Sequence, residues 1–357
     1  MRIAISTGGG DAPGLNAVIR GAVLSAIHRG WECLGIRRGY GGLLGDDRIV
    51  PLGAAEVRGI THLGGTILGT SNRGDPFKFR EPAPGGGGGW IERDRSDEAV
   101  AAFRAHGIDA MIAIGGDGSL GIALRLMQKG IPVVGVPKTI DNDVGGTVAT
   151  FGFDTAVATA TDAIDKVHST AESHERVMVV EVMGRHAGFI ALNAGISGSA
   201  DVILIPEIPF DIERVCEKIG RREAEGRHFS IVVVAEGAAP RGGSVSLIDP
   251  EHERLGGIGD KVAHSIQEMT RKETRTLVLG HLQRGGSPTT FDRLLGLRFG
   301  AAAVRVIAEG KFGTMVALRP PTIAPIPIDE ALAAPKLVPL DSDTIATARD
   351  LGISLGD

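Results

Sequence analysis

Residues 111–143 read MIAIGGDGSLGIALRLMQKGIPVVGVPKTIDND, and the order of residue types in this stretch decides the fold. The run 111–114 is apolar throughout, as a strand buried on both faces of a parallel sheet requires. Gly115 and Gly116 follow it, and backbone without a Cβ lets a ligand approach closely there. A helical segment then leads to a second apolar run, 131–136, and to an acidic loop that holds Asp141 and Asp143. Asp117 thus stands after the first strand and Asp141 after the second. The carboxyl ends of neighbouring parallel strands face one crevice, so the pattern predicts that these carboxylates converge on one ligand.

Outward from this stretch the same alternation repeats. Residues 2–6 form a β-type run, followed by TGGGDAPGLNAVIRGAVLSAIHRG, in which Ala17, Val18, Ala22, Leu24 and Ile27 supply one apolar helical face. Further strands are expected at 33–37, 176–182, 202–205, 230–235 and 275–279, and helices at 154–168, after MGRHAG, at 261–270 and at 294–309. Alternation from end to end predicts an α/β protein with a mainly parallel sheet in each of two lobes. Polar residues recur just past strand ends: Asp11, Asp117, Asp141, Arg185, Glu236 and His281. Scattered surface charge would not keep that register, and an enzyme would.

Composition narrows the class. The 357 residues carry a net charge of −5, from 38 basic and 43 acidic side chains, without a basic tail or patch, so nucleic acid is not an expected partner. Hydrophobic residues make up 43% of the chain, yet no run of about 18 apolar residues occurs and the start MRIAIS lacks a signal-peptide core. A soluble cytoplasmic protein is expected, with Cys33 and Cys216 as reduced thiols outside any metal-type spacing. The 53 glycines are near twice the average usage of about 7%. Most punctuate apolar runs; the run Gly85–Gly89, inside 74–97, reads as a flexible surface excursion.

Glycine turns at helix starts suit phosphates, because unpaired N–H groups and the helix dipole point outward there. The first turn is not a P-loop, since no GxxxxGK[ST] occurs there, nor a dinucleotide fingerprint, since Pro13 stands where a third glycine is needed. Phosphoryl transfer needs backbone amides around the donor, a carboxylate for Mg²⁺, cations for the moving charge and a further carboxylate to take the hydroxyl proton. Asp117 suits the metal and Asp141 the base. Either aspartate alone more often caps a turn; the two together in adjacent loops reverse that weighting.

The blocks STGGGDAPGLN, GGTILGTSNR, IGGDGSLGIA, PKTIDND, EVMGRHAG, AEG and LGHLQRGGSP come in order between residue 5 and about residue 300. Together they resemble the successive signatures of the phosphofructokinase family. GGDGS is shared with NAD kinases and lipid kinases, whereas TIDND, MGRxxG and GHxQRGG together are specific. The resemblance implies two Rossmann-like lobes: a phosphoryl-donor lobe of 1–152 plus roughly 284–328, and a sugar-phosphate lobe of 153–283 plus roughly 329–357. It also implies phosphorylation of fructose 6-phosphate at the 1-hydroxyl, the committing step of glycolysis, with Mg²⁺ and ATP.

By the same resemblance, Asp141 is the base, with Thr139 beside it, and Asp117 serves Mg²⁺. Gly10, Tyr40, Arg73, Gly116, Asp117, Gly118 and Ser119 line the nucleotide and its phosphates, with Arg73 also meeting transition-state charge. Met183, Gly184, Arg185, Glu236, His281 and Arg284 hold the sugar phosphate. Arg176 and Arg275 match arginines that the family inserts from a neighbouring subunit, which implies a homodimer or homotetramer. Two residues bear on the donor. Gly118 matches the pattern of ATP users, whereas pyrophosphate users carry an aspartate there. Lys138 stands where glycine is typical of bacterial ATP users; a lysine there is typical of pyrophosphate and mixed-lineage enzymes, and its charge suits a small polyphosphate. Because steric exclusion is the harder constraint, ATP is the expected donor and pyrophosphate the alternative; a non-catalytic relative that only binds nucleotide or sugar phosphate is disfavoured because Asp117 and Asp141 are both present. Arg20 and Asp201 match positions of the family's effector site, but Leu24 and His168 replace arginines expected there, so a weak or absent effector response is expected.

Overall fold

The computed structural model describes residues 1–45, 48–83, 89–249 and 254–357. Among the described residues the strands are β1 (Arg2–Thr7), β2 (Glu32–Ile36), β3 (Ile49–Pro51), β4 (Phe79–Pro82), β5 (Trp90–Arg93), β6 (Ala110–Gly115), β7 (Val133–Pro137), β8 (Val177–Val182), β9 (Val202–Leu204), β10 (Ser230–Ala235), β11 (Leu247–Asp249), β12 (Arg254–Leu255), β13 (Thr274–Val278), β14 (Thr314–Arg319) and β15 (Thr322–Pro327). The helices are α1 (Leu15–His28), α2 (Ser96–Ala105), α3 (Asp117–Gln128), α4 (Phe153–Ser173), α5 (Phe189–Ser197), α6 (Ile212–Ala224), α7 (Ile258–Thr270), α8 (Thr290–Ala308), α9 (Ile328–Leu332) and α10 (Asp343–Asp350). The chain divides into two units: Met1–Thr139, Val144–Asp154 and Arg284–Ala334 form the first, and Ile140–Asp143, Thr155–Gln283 and Pro335–Asp357 the second. The acidic loop Ile140–Asp143 therefore groups with the second unit, not with the strand that leads into it.

The first unit is built on a seven-stranded sheet of order β15-β14-β7-β6-β1-β2-β3. Its five inner strands are parallel, while β15 and β3 run antiparallel at the edges. Every residue of β6 and β7 is buried, which explains their unbroken apolar sequence. Helices α1 and α8 pack together on one side of this sheet. A Cβ on Gly300 would lie 2.2 Å from the Val18 carbonyl oxygen, and one on Gly21 2.6 Å from that of Leu297. Glycine at both points lets the two backbones touch. Phe151, Phe299, Ile3, Ile5 and Ile19 fill the core beneath, each contributing about 1.5–3 kcal/mol by burial.

Within 74–97, on either side of the glycine run, the chain forms paired strands. The Asp75 side chain accepts from Phe77 N at 2.9 Å and starts a short turn, after which β4 and β5 pair as a hairpin, Phe79 opposite Arg93 and Pro82 opposite Trp90. Arg125 of α3 lies 3.6 Å over the Phe77 ring and Arg95 lies 5.2 Å over Phe79, so the base of the hairpin is stacked on cations. The alternation in FKFREP and WIER carried this strand signal, and the glycine run masked it. Gly85, Gly86, Gly87 and Gly88 lie outside the described residues.

The second unit holds a four-stranded parallel sheet, order β13-β8-β10-β9. Glu181, buried within β8, accepts from Gly257 N at 3.3 Å and Gly259 N at 2.7 Å. Its carboxylate thereby satisfies amides at the start of α7 and meets the positive end of that helix dipole. The last residues of the chain line the outer edge of β9, where Ile203 N donates to Ser354 O at 2.9 Å.

Candidate active site

In the first unit, adjacent strands β1, β6 and β7 deliver their carboxyl ends side by side. Thr7 pairs with Ile114 and Gly115 with Pro137, so three turns meet there: 8–11, 115–119 and the one at Lys138. The first two interlock. Gly8 N donates to Ile114 O at 2.9 Å, and a Cβ on Gly8 would lie 2.6 Å from Ser119 Oγ. Thr70, from the GGTILGTSNR turn, donates to Gly9 O at 2.5 Å, and Gly9 N donates to Ser71 O at 3.3 Å. That pairing carries exposed Arg73 to the edge of the same cluster.

Helix α3 begins at Asp117 with Gly116 as its cap residue, so no capping side chain covers its first amides. Asp117 and Gly118 are exposed. A Cβ on Gly118 would meet no atom of the described residues within 4 Å. The fold itself therefore does not demand glycine at 118, unlike at Gly8. Tyr40, expected to line a nucleotide, is 4% exposed, and its hydroxyl donates to Ser119 O at 2.7 Å. It braces the α3 turn from within, and burial pushes its phenol up from the ordinary tyrosine range.

Lys138 is also buried, and its ammonium donates to Gly10 O. Arg284, expected with the sugar-phosphate residues, belongs to the first unit, where its Nη1 donates to Asp11 O at 3.1 Å and stands 3.1 Å from the position of a Cβ on Gly10. Two cations thus border the first glycine turn. Thr139 is buried, and its carbonyl accepts from Thr150 Oγ1 at 2.7 Å.

In the second unit, the order β13-β8-β10 likewise aligns three strand ends. Ala235 pairs with Val182, and Val278 with Glu181, which brings Glu236, the turn 183–188 and His281 to one edge of the sheet. Gly184 adopts φ 135°, a conformation open to glycine, and Gly237 is so close to the turn that a Cβ would lie 2.1 Å from Arg185 O. Met183 N donates to the side chain of buried Gln283 at 3.3 Å. Arg185 and His281 are exposed. In the loop Ile140–Asp143, Asn142 has φ 56°, a left-handed geometry that asparagine tolerates better than most residues.

Arg176 and Arg275, expected to act across a subunit contact, share one acid within the chain. Arg176 Nε lies 2.8 Å from Glu273 Oε2, and Arg275 pairs with Oε1 of the same carboxylate. These arginines hold the Glu273 carboxyl below the usual range. Of the effector-site matches, Arg20 donates to Val57 O at 2.6 Å in the first unit. In the second, Asp201 lies 2.7 Å from Arg222 and accepts from Ile231 N at 2.9 Å, while burial pushes its carboxyl up.

Glu207 was not singled out by sequence reasoning. Both of its carboxylate oxygens accept from Gly188 N, at 3.0 and 3.1 Å, and Oε1 also accepts from Val338 N at 2.8 Å. Such charge-assisted bonds are worth about 1.5–3 kcal/mol each. The available signal was an acid set between Pro206 and Pro209, directly after a buried strand.

The phosphofructokinase family model matches residues 2–307. An ATP-dependent 6-phosphofructokinase from Chloroflexus aurantiacus is 54% identical over 359 residues, covering 100% of this chain and 98% of that protein. A pyrophosphate–fructose 6-phosphate 1-phosphotransferase from Amycolatopsis methanolica is 53% identical, covering 95% of this chain and 96% of that one. The crystal structure of Pichia pastoris phosphofructokinase in the T-state matches with a TM-score of 0.80 and 31% identity over 99% of this chain, which spans only 37% of that yeast chain. With a family match across most of its length and full-length relatives above half identity, this chain belongs to the phosphofructokinase family.

Proposed function

We propose that this chain transfers the terminal phosphoryl group of ATP to the 1-hydroxyl of fructose 6-phosphate, giving ADP and fructose 1,6-bisphosphate. The observation that carries ATP as donor is Gly118. Open space surrounds the position where its Cβ would be, at an uncapped helix start. A triphosphate chain with its nucleoside needs that room, and the amides of the first α3 turn offer it donors.

In this reading the first unit serves the donor and the second the acceptor. Arg73, exposed on its turn, offsets charge on the moving phosphoryl group. Asp117 at the mouth of the turn would repel a bare polyphosphate. Among the described residues no group of three acidic, His or Cys side chains is placed to hold a metal. Asp117, a single exposed carboxylate at the α3 start, would instead hold Mg²⁺, which binds through one or two carboxylates plus phosphate oxygens and keeps several waters. When bound, Mg²⁺ neutralises charge on the donor phosphates. Asp141 accepts the proton of the 1-hydroxyl, while Arg185, His281, Glu236 and the backbone of Met183 and Gly184 orient the sugar phosphate. Arg176 and Arg275 serve the site of a neighbouring copy, in a homodimer or homotetramer, once Glu273 releases them. Among the described residues no helix is long and apolar enough to cross a membrane; a cytoplasmic enzyme fits the reading.

A second reading, pyrophosphate as donor, is favoured by Lys138, whose buried ammonium stands at the Gly10 carbonyl beside the donor turn. Initial rates with ATP and with pyrophosphate, at saturating fructose 6-phosphate and Mg²⁺, decide between the two. Faster turnover with ATP supports the first reading, faster turnover with pyrophosphate replaces it by the second, and no product from either donor overturns both.

A further inference from the structure

Residues 335–338, in the second unit, grip two parts of the acceptor half at once. Lys336 N donates to Asp143 O at 2.8 Å, and two residues later Val338 N donates to Glu207 Oε1, the carboxylate that also holds Gly188 N. The Lys336 ammonium turns inward. It lies 5.1 Å from the ring centroid of Phe189, the first residue of α5. Burial pushes this lysine down to about 8, against the opposing pull of the Asp143 carboxylate. A lysine with no task would extend its ammonium into water instead.

We propose that Lys336 is a positioning residue for the phosphoryl acceptor, its ammonium set over the Phe189 ring and its backbone amide on the Asp143 carbonyl, fixing the loop Ile140–Asp143 so that the Asp141 carboxylate meets the 1-hydroxyl. Asp143 is one residue removed from Asp141 across Asn142, whose left-handed backbone makes the turn between them tight. Anchoring Asp143 therefore leaves Asp141 little freedom. Lys336 acts through the loop and through Phe189 and takes no part in proton transfer. The inference rests on the assignment of Asp141 as base.

Lys336→Met keeps the apolar stem and removes the charge, and Lys336→Arg keeps a cation over the Phe189 ring. The expected result is a kcat lowered about ten- to a hundredfold in Lys336→Met, as for misplaced catalytic groups. KM for the phosphoryl donor and the melting temperature stay as in the parent, and Lys336→Arg recovers most of the loss. In an Asp141→Asn background, Lys336→Met adds no further loss, because the group it positions is gone. A parental kcat in Lys336→Met, an undiminished effect in the Asp141→Asn background, or a loss that follows a lowered melting temperature and is shared by Lys336→Arg, each overturns the proposal. Failure of the base assignment itself shows separately, as an Asp141→Asn single variant that keeps its turnover.

Discussion

The helix starts of α3 and α5 follow the same sequence logic, a buried strand, a glycine turn and a helix, yet they end in opposite states. At α3 the cap is Gly116, the next residues are exposed, and no described residue fills the space beside Gly118. At α5 the Glu207 carboxylate already occupies the helix start, and a Cβ on Gly188 would lie 2.4 Å from Ile205. One positive helix end is left for a ligand; the other is taken by an internal anion. The glycines differ in the same way. Gly118 is spared contact by the fold, whereas Gly188 is enforced by it. A glycine turn therefore announces an anion site only when no acid of the chain reaches it first.

The acidic loop is the first place to break this comparison, since the base proposed for the acceptor half, Asp141, lies in it. Asp141→Asn is expected to fold with a parental melting curve and to lose activity by about 10²–10⁴-fold, as measured by a coupled assay for fructose 1,6-bisphosphate. A carboxylate introduced at the open turn comes next. Gly118→Asp is expected to leave stability unchanged and to lower kcat/KM for ATP by about 10- to 100-fold, because like charges placed together cost several kcal/mol. The rate with pyrophosphate should fall less, so the ratio of the two rates is the sharper readout.

The filled turn should answer in stability instead. Gly188→Ala is expected to cost about 1–3 kcal/mol, because Ile205 and Glu207 must give way, and chemical denaturation would show it as an earlier midpoint. The smallest effect is expected from effectors. Asp201 is engaged by Arg222 and Ile231, and Leu24 and His168 stand in place of cations. ADP and phosphoenolpyruvate titrations should therefore shift the half-saturating fructose 6-phosphate concentration less than the usual coupling of about fivefold or more.

The parts of the fold that were legible share one property: their signal is local. The apolar runs of β6 and β7 and the glycines behind them can be read without knowing what packs on them, and the structure bounds them within two residues. The hairpin β4–β5 was hidden because its alternation is short and a glycine run dominates the composition around it. Tyr40, expected to line the nucleotide, is buried under the α3 turn with its hydroxyl on a backbone carbonyl, a contact that no local pattern displays. Glu207 and Lys336 were invisible for a different reason. Glu207 joins Gly188 to Val338, and Lys336 joins Phe189 to Asp143, partners far apart in sequence that only the folded chain brings together.

The threading of the first unit has a consequence for synthesis. Among the described residues its sheet continues beyond β7 through β14, by the pairing of Thr314 with Val134 and Met315 with Gly135. All of the second unit's sheet is made on the ribosome between those two strands. Throughout that interval the edge of β7 is an unpaired, apolar row of amides and carbonyls in a nascent chain, the kind of edge that recruits other strands. The enzyme's late partner for that edge makes its folding slow by topology and places its greatest hazard of misassembly before translation ends.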